Sequence, residues 1–409
     1  GGIVEARIQG AGDGVTARSG NVTVTAEDAA KIEVLAAAAS IAAGFGSTGI
    51  AVSGAGAEAT NRINSTTRAH LTNSDVTATS GDVIVKGRAT GDVDAVVIAA
   101  SAAVAVGSTG VGASIGVAVA RNLIGHTQQQ IATTNTTADT VTQLTKNVTT
   151  VAIEAGARKG DSYRYIGDTV TQADNVIDED DNTAPYALSG QDYGNNDLWE
   201  LINLGESRAV VEAAVVDSDV TAGNAVEVDA RSQQAIKART IAGSVAVAGG
   251  QTGIAVSGSG AAVENRIATD VSAHISGSAT DVIADSVTVN ADDISTIDAV
   301  SAALSISAAF GQTGVAVSIG ISVAINNVAN NVAAFADNGA RVTTSGVGGM
   351  TISASTPELL LGGSNVPATV SAVSAGQLND AGTTDMDDND LPVGSDVTGD
   401  TAILTSLRN

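Results

Sequence analysis

GVAVSIGISVAIN, residues 314–326, decides the fold of this chain. Val315, Val317, Ile319, Ile321, Val323 and Ile325 alternate with Ala316, Ser318, Gly320, Ser322, Ala324 and Asn326, a period of two. Only an extended strand puts two such sets on opposite faces. The stretch before it alternates too, with Val300, Ala302, Leu304, Ile306 and Phe310 against Ser301, Ala303, Ser305 and Ser307. Ala-rich segments such as residues 32–43 favour helix by propensity, but they occupy the equivalent place in another copy of the same pattern, so strand prevails.

Between the two alternating stretches lies a turn signal, Gly-[Ser/Gln]-Thr-Gly, found at 46–49, 107–110, 250–253 and 311–314 with spacings of 61, 143 and 61. Glycines at both ends suit a tight reversal, because glycine takes positive φ without steric cost. An asparagine follows the last glycine by twelve residues in every copy: Asn61, Asn122, Asn265 and Asn326. These four positions are expected to stack as a ladder or to cap the end of each long strand. Copies one and three resemble each other (GIAVSGAGAEATNRI, GIAVSGSGAAVENRI), as do copies two and four (GVGASIGVAVARN, GVAVSIGISVAIN). The unit is therefore 61 residues and alternates in a two-unit block.

Two strands of about twelve residues flanking each turn predict a long hairpin, spanning roughly 40 Å at ~3.3 Å per residue. The Ala/Ser/Gly face suits close approach of a second layer, and the Val/Ile face is expected to be buried as well. Short alternating segments punctuated by glycine, at residues 4–26, 67–87, 211–230, 271–291 and 332–354, read as successive rungs. The predicted fold is all-β: an elongated, β-solenoid-like tandem-repeat rod with long small-residue hairpin strands.

Composition narrows the function. Three Phe, four Tyr and one Trp in 409 residues leave small and β-branched side chains to fill the core. With 44 acidic and 19 basic residues the net charge is −25, which argues against a nucleic-acid groove and favours divalent cations as partners. Cysteine is absent, so there is neither a disulfide framework nor a thiolate metal site. No apolar run reads as a membrane-spanning segment. The N-terminal residues read as the tail of a preceding repeat, so the chain is expected to be an excerpt from a longer array.

The spacing of 143 isolates an 82-residue insertion, and the organisation reads as a repeat block over 1–126, an inserted module over 127–208, a second block over 209–355 and an acidic tail over 356–409. The insertion holds Tyr163, Tyr165, Tyr186, Tyr193 and Trp199. Of these, Tyr163, Tyr165, Tyr193 and Trp199 are candidates for contact with a glycan or a cell-surface partner, the alternative being the module's own small core. Two D-x-D-D-N clusters offer oxygen ligands at alternate positions: Asp178, Asp180 and Asn182, and Asp385, Asp387 and Asn389 with Asp396 following. Such spacing fits one calcium ion as in the first half of an EF-hand loop, although Asp390 stands where that loop needs glycine; a solvated acidic loop is the competing reading. Calcium is the one cofactor the sequence suggests.

His70 and His274 are 204 residues apart and so occupy one position in two blocks, which fits a repeated structural site better than a catalytic base. No Cys or carboxylate stands at metal-ligand spacing from His126 in the sequence. No catalytic residue is assigned, and an enzyme is the least supported class.

The hairpin segments AVAVGSTGVGASIGVAVARN and SISAAFGQTGVAVSIGISVAINN, the rung pattern, and the insertion GDSYRYIGD…QDYGNNDLWELI together resemble the repeat regions of giant bacterial surface proteins, namely large repetitive adhesins and filamentous-haemagglutinin-like or LEPR-XLL-type proteins. The resemblance covers about residues 1–355. It implies an extracellular or cell-surface filament without catalytic residues, whose partners are further repeats or other copies of the chain. The expected function is a structural segment giving reach, stiffness and lateral or end-to-end association. The alternative is a glycan- or partner-binding module displayed by the insertion.

Overall fold

The computed structural model describes residues 2–10, 14–154, 158–175, 183–193, 195, 197–356 and 368–375. The chain is nearly all β and forms two compact units, Gly1–Gly125 with Arg208–Asn409, and His126–Ser207.

The first unit is a stack of rungs. Its first rung comprises strands Gly2–Gln9, Val15–Ala17 and Val22–Ile63, and the second Ser65–Thr72, Asp75–Ala78 and Val83–Ile124. The third comprises Ala209–Val216, Asp219–Ala222, Ala225–Gly249 and Thr252–Ile267. The fourth comprises Thr269–Ser276, Asp281–Asp293, Thr296–Phe310 and Thr313–Val328, and the fifth begins with Asn331–Asp337 and Arg341–Ser355. Every rung pairs in parallel with the next, and the repeat spacing becomes the register. Val22 pairs with Val83, Val83 with Val226 and Val226 with Val287. Gly49 likewise pairs with Gly110, Gly110 with Gly253 and Gly253 with Gly314. Rungs two and three pair directly although 82 residues separate them in sequence. This is a β-solenoid-like stack, consistent with the all-β reading of the sequence.

The short strands of each rung enclose one core, filled by Val, Ala, Leu and Ile side chains such as Leu71, Val85, Val215, Val228 and Ile275. From there the chain runs out along a long arm, reverses at the glycine tetrad and returns. Gly46 has φ 144° and Gly311 φ 150°, conformations that glycine alone adopts without strain. The arms face each other across the interior: Ser40 Oγ is 3.0 Å from Ser53 Oγ. Nearer the tip, a Cβ on Gly44 would fall 2.1 Å from the Ile50 carbonyl oxygen.

Two features differ from the sequence expectation. The arms flank the glycine turn, but each finds its hydrogen-bond partners in neighbouring rungs and not in the other arm, which makes an arch instead of a ladder-bonded hairpin. The cause is repetition: identical arms in register saturate one another's backbone groups sideways, leaving side-chain faces to join the two layers. The second difference is the Val/Ile face. Ala51 and Ser53 are buried while Ile50 and Val52 point outward, 61% and 69% exposed. The interlayer gap decides this. A Cβ on Gly116 would lie 2.4 Å from the Gly243 carbonyl oxygen, and one on Gly112 3.0 Å from that of Val247, so only small residues fit between the layers along this outer part of the arms, while Val97 and Ile236 fill the wider space nearer the base.

The second unit is built from short strands, with Trp199–Leu201, Ser162–Tyr165, Thr150–Ala152 and Asn135–Thr136 forming its main sheet. Its core joins Leu144, Val151, Ile153, Tyr163, Tyr165, Leu188, Tyr193 and Trp199.

Candidate functional site

Strand alternation sorts each arm's residues into an inner and an outer set, and the two sets differ in chemistry. Ser40, Ser101, Ser244 and Ser305 occupy one register on the outgoing arm, and Ser53, Ser114, Ser257 and Ser318 one on the returning arm. Ser244 Oγ approaches Ser257 Oγ at 2.6 Å and Ser305 Oγ at 3.1 Å, so hydroxyls satisfy one another both across the arch and along the stack. Sequence reading missed these columns, although their spacing of 61, 143 and 61 was available to it.

Further in, the four repeat asparagines face the interior. Asn61 Nδ2 donates to Asn122 Oδ1 (2.7 Å), Asn122 to Asn265 (2.8 Å) and Asn265 to Asn326 (2.7 Å). Beside them on the outer side sits Glu264. Burial pushes its carboxyl up, but Arg121 at 2.9 Å and Arg266 at 2.7 Å outweigh that and hold it below the ordinary carboxylate range.

On the sheet of short strands, Glu212 gathers the two repeat histidines. His70 Nε2 lies 3.2 Å from its carboxylate, His274 Nε2 4.0 Å, and Arg68 Nε 3.0 Å. The His70 imidazole is the chief influence holding the Glu212 carboxyl low, against burial. His274 stacks on Phe335 with ring centres 4.8 Å apart, and burial lowers its pKa. The group is tied into an ion-pair cluster within one sheet.

The candidate partner-binding aromatics occupy the core of the second unit. Tyr163 packs on Tyr193, Tyr165 meets Trp199 edge-on, and Tyr193 touches Trp199 at 4.8 Å. Trp199 is 1% exposed. The reading of Tyr163, Tyr165, Tyr193 and Trp199 as surface contacts is therefore corrected: the four rings are buried together with Leu144, Val151, Ile153 and Leu188 in the module's own core. The calcium candidates Asp178, Asp180, Asn182, Asp385, Asp387, Asn389 and Asp396 lie outside the described residues. Among the described residues no cluster of three or more His, Asp or Glu side chains is placed to hold a metal ion. No helix among them is long and apolar enough to cross a membrane.

What the described surface does present is apolar. Ile41, Phe45, Ile50, Val52, Ile115 and Ile319 all point outward from the arms and are more than half exposed. Isolated exposed apolar residues are ordinary, but a continuous face of them marks an interaction surface.

The chain matches no known family, no curated protein and no solved structure.

The outer faces of the arms are thus the candidate functional site, a surface suited to contact. It lacks charge throughout: residues 34–57, 95–120, 240–263 and 299–326 contain no Asp, Glu, Lys or Arg.

Proposed function

We propose that this chain is a structural repeat segment of a giant extracellular adhesin or surface filament, non-catalytic, giving reach, stiffness and lateral or end-to-end association. The supporting observation is the in-register parallel stacking of equivalent positions from rung to rung. A fold of that kind gains stability from nearest-neighbour interfaces and lengthens by adding rungs without redesign of a central core. The ladders of serine and asparagine fix the register, since a slip of one residue would set buried amides and hydroxyls against apolar neighbours. Stiffness follows from continuous ladders of parallel hydrogen bonds, and association from the uncharged apolar faces. The resemblance to repeat regions of bacterial surface proteins supports the same reading, with the segment outside the cell.

Negative-stain electron microscopy of the purified chain tests the reading. Thin, elongated or laterally bundled particles are expected, and compact globular ones would overturn it. Hydrolytic activity on a polysaccharide that vanishes with a single carboxylate substitution would also overturn the non-catalytic assignment.

A further inference from the structure

The outer face of the returning arms has a relief that the fold itself does not explain. One column of the sheet reads Gly54, Ile115, Gly258, Ile319 from rung to rung, and the next reads Gly56, Val117, Gly260, Ile321. In these two columns rungs one and three are troughs and rungs two and four are ridges, whereas the neighbouring outward columns, Val52, Ala113, Val256, Val317 and Ile50, Val111, Ile254, Val315, are apolar without that alternation. The ridge residues stand clear, with Ile115 58% and Ile319 57% exposed.

Glycine weakens a strand and usually persists there because a backbone passes close or φ is positive. Neither cause operates at these four. A Cβ at Gly56, Gly258 or Gly260 would meet nothing within 4 Å, and at Gly54 only the Ile115 carbonyl oxygen at 4.0 Å. None has positive φ. The inner glycines are the contrast: Gly116 and Gly112 are held to glycine by backbone 2.4 and 3.0 Å away. The trough glycines leave room for something outside this unit's own packing. They also account for the two-unit alternation of the sequence, which the fold leaves without a purpose.

We propose that this face docks against the same face of a second copy of the chain, each Ile or Val ridge entering a glycine trough. The inference rests on the scaffold reading above and names its lateral contact. The order trough, ridge, trough, ridge is self-complementary under a two-fold axis parallel to the strands. That operation reverses the rung order, so Gly54 meets Ile319 of the other copy and Ile115 meets Gly258, with Gly56 opposite Ile321 and Val117 opposite Gly260. Isologous contacts of this type are the commonest way identical chains associate. Face-to-face sheets with interdigitated apolar side chains are an established packing mode.

Charge and area agree with a second copy as occupant. Residues 49–57, 110–120, 253–263 and 314–326 carry no charged side chain, so contact at this face brings no like charges together. Nine residues of strand at ~3.4 Å by four strands at ~4.8 Å give roughly 600 Å² per copy. The pair would bury about 1,200 Å², the lower bound for a stable specific interface.

The test is sedimentation velocity of the full chain over a hundredfold concentration range, beside a variant in which Gly54, Gly56, Gly258 and Gly260 are all replaced by Val. The substitutions fill the troughs on the outer face, where a Cβ meets no backbone closer than 4.0 Å and the added side chains lie beside Ile115, Val117, Ile319 and Ile321 of the neighbouring rungs, so the variant is expected to keep its circular dichroism spectrum and a Tm close to or above the parent's. The parent is expected to form dimers and the variant to stay monomeric at tenfold higher concentration. A second variant, Ile115→Lys with Ile319→Lys, is expected to abolish association as well. If the parent associates and the filled variant does so equally, this face is not the contact, while lateral association itself survives. A parent that is monomeric throughout overturns the proposal and the associating role together. A monomeric parent that floats with phosphatidylcholine vesicles, and loses that property on Ile115→Lys, overturns it in favour of a lipid surface.

Discussion

Ser101 Oγ lies 2.7 Å from Ser114 Oγ across the interior of the second rung, both side chains buried between the two arms. The pair joins layers that no backbone hydrogen bond connects. At this level and toward the tip Ala, Ser and Gly line the gap, and serine adds a directional contact to what is otherwise packing of small apolar groups.

That pairing predicts strong non-additivity. Ser101→Ala leaves the Ser114 hydroxyl without this partner in a dry interior and costs about 1–3 kcal/mol. Ser101→Ala combined with Ser114→Ala removes both polar groups and returns to within about 1 kcal/mol of the parent. A double-mutant cycle by chemical denaturation measures the coupling, and equal additive losses would contradict the pairing.

The asparagine ladder makes a sharper prediction at Asn265, which accepts from Asn122 and donates to Asn326. Asn265→Ala breaks both bonds at once and is expected to cost about 1–3 kcal/mol. Asn265→Asp costs more at neutral pH, because a buried carboxylate cannot donate to the Asn326 oxygen. In acid the protonated carboxyl can donate again, so part of the loss is recovered. Thermal melts of the two variants at neutral pH and near pH 4 separate them, since only the Asp variant should gain relative to the parent on acidification.

Much of this was legible in the sequence. The period of two across residues 314–326 gives strands, and the offsets of 61 and 143 give the rungs and the insertion. The direction of hydrogen bonding was not legible, because the same Gly-Ser-Thr-Gly turn serves a hairpin or an arch. The choice depends on whether Val83 pairs with a strand of its own rung or with Val22 and Val226 on either side. Nor was the outward direction of Ile50 and Val52. Hydropathy puts them inside, but the width of the gap at Gly112 and Gly116 is a property of two layers together and appears in neither strand alone. The aromatics were ambiguous for a related reason: five rings in one short module can serve as its core or its surface, and only burial distinguishes the two.

In the inserted unit, Tyr165 meets Trp199 edge-on at 5.2 Å, and its hydroxyl donates to the Asp168 carbonyl oxygen. Tyr165→Ala opens a cavity in a core of eight residues and is expected to cost about 3–5 kcal/mol. Trp199 is the chain's sole tryptophan, so its fluorescence reports this unit alone. A red-shifted emission with little change in the far-ultraviolet β signal is the expected outcome. Unshifted emission at room temperature would mean that the rings are not the unit's stabilising core.

Acid should weaken the stack in two stages. His274 is buried among His70, Glu212, Phe335 and Asp337, and burial sets its folded pKa below the ordinary 6.5. The unfolded chain therefore takes up that proton first, and the stability held by neutral His274 is full above 6.5 and falls as pH drops through the folded value. Glu212, held below 4.5 chiefly by His70, contributes stability that is full above 4.5 and is lost at lower pH. His274→Phe replaces the titrating ring with one that can still stack on Phe335. Its Tm is expected to change less than the parent's between about pH 7 and pH 5, with both falling together below that. Glu212→Gln should flatten the lower segment instead. If His274→Phe leaves the upper slope unchanged, the acid sensitivity there arises from another group.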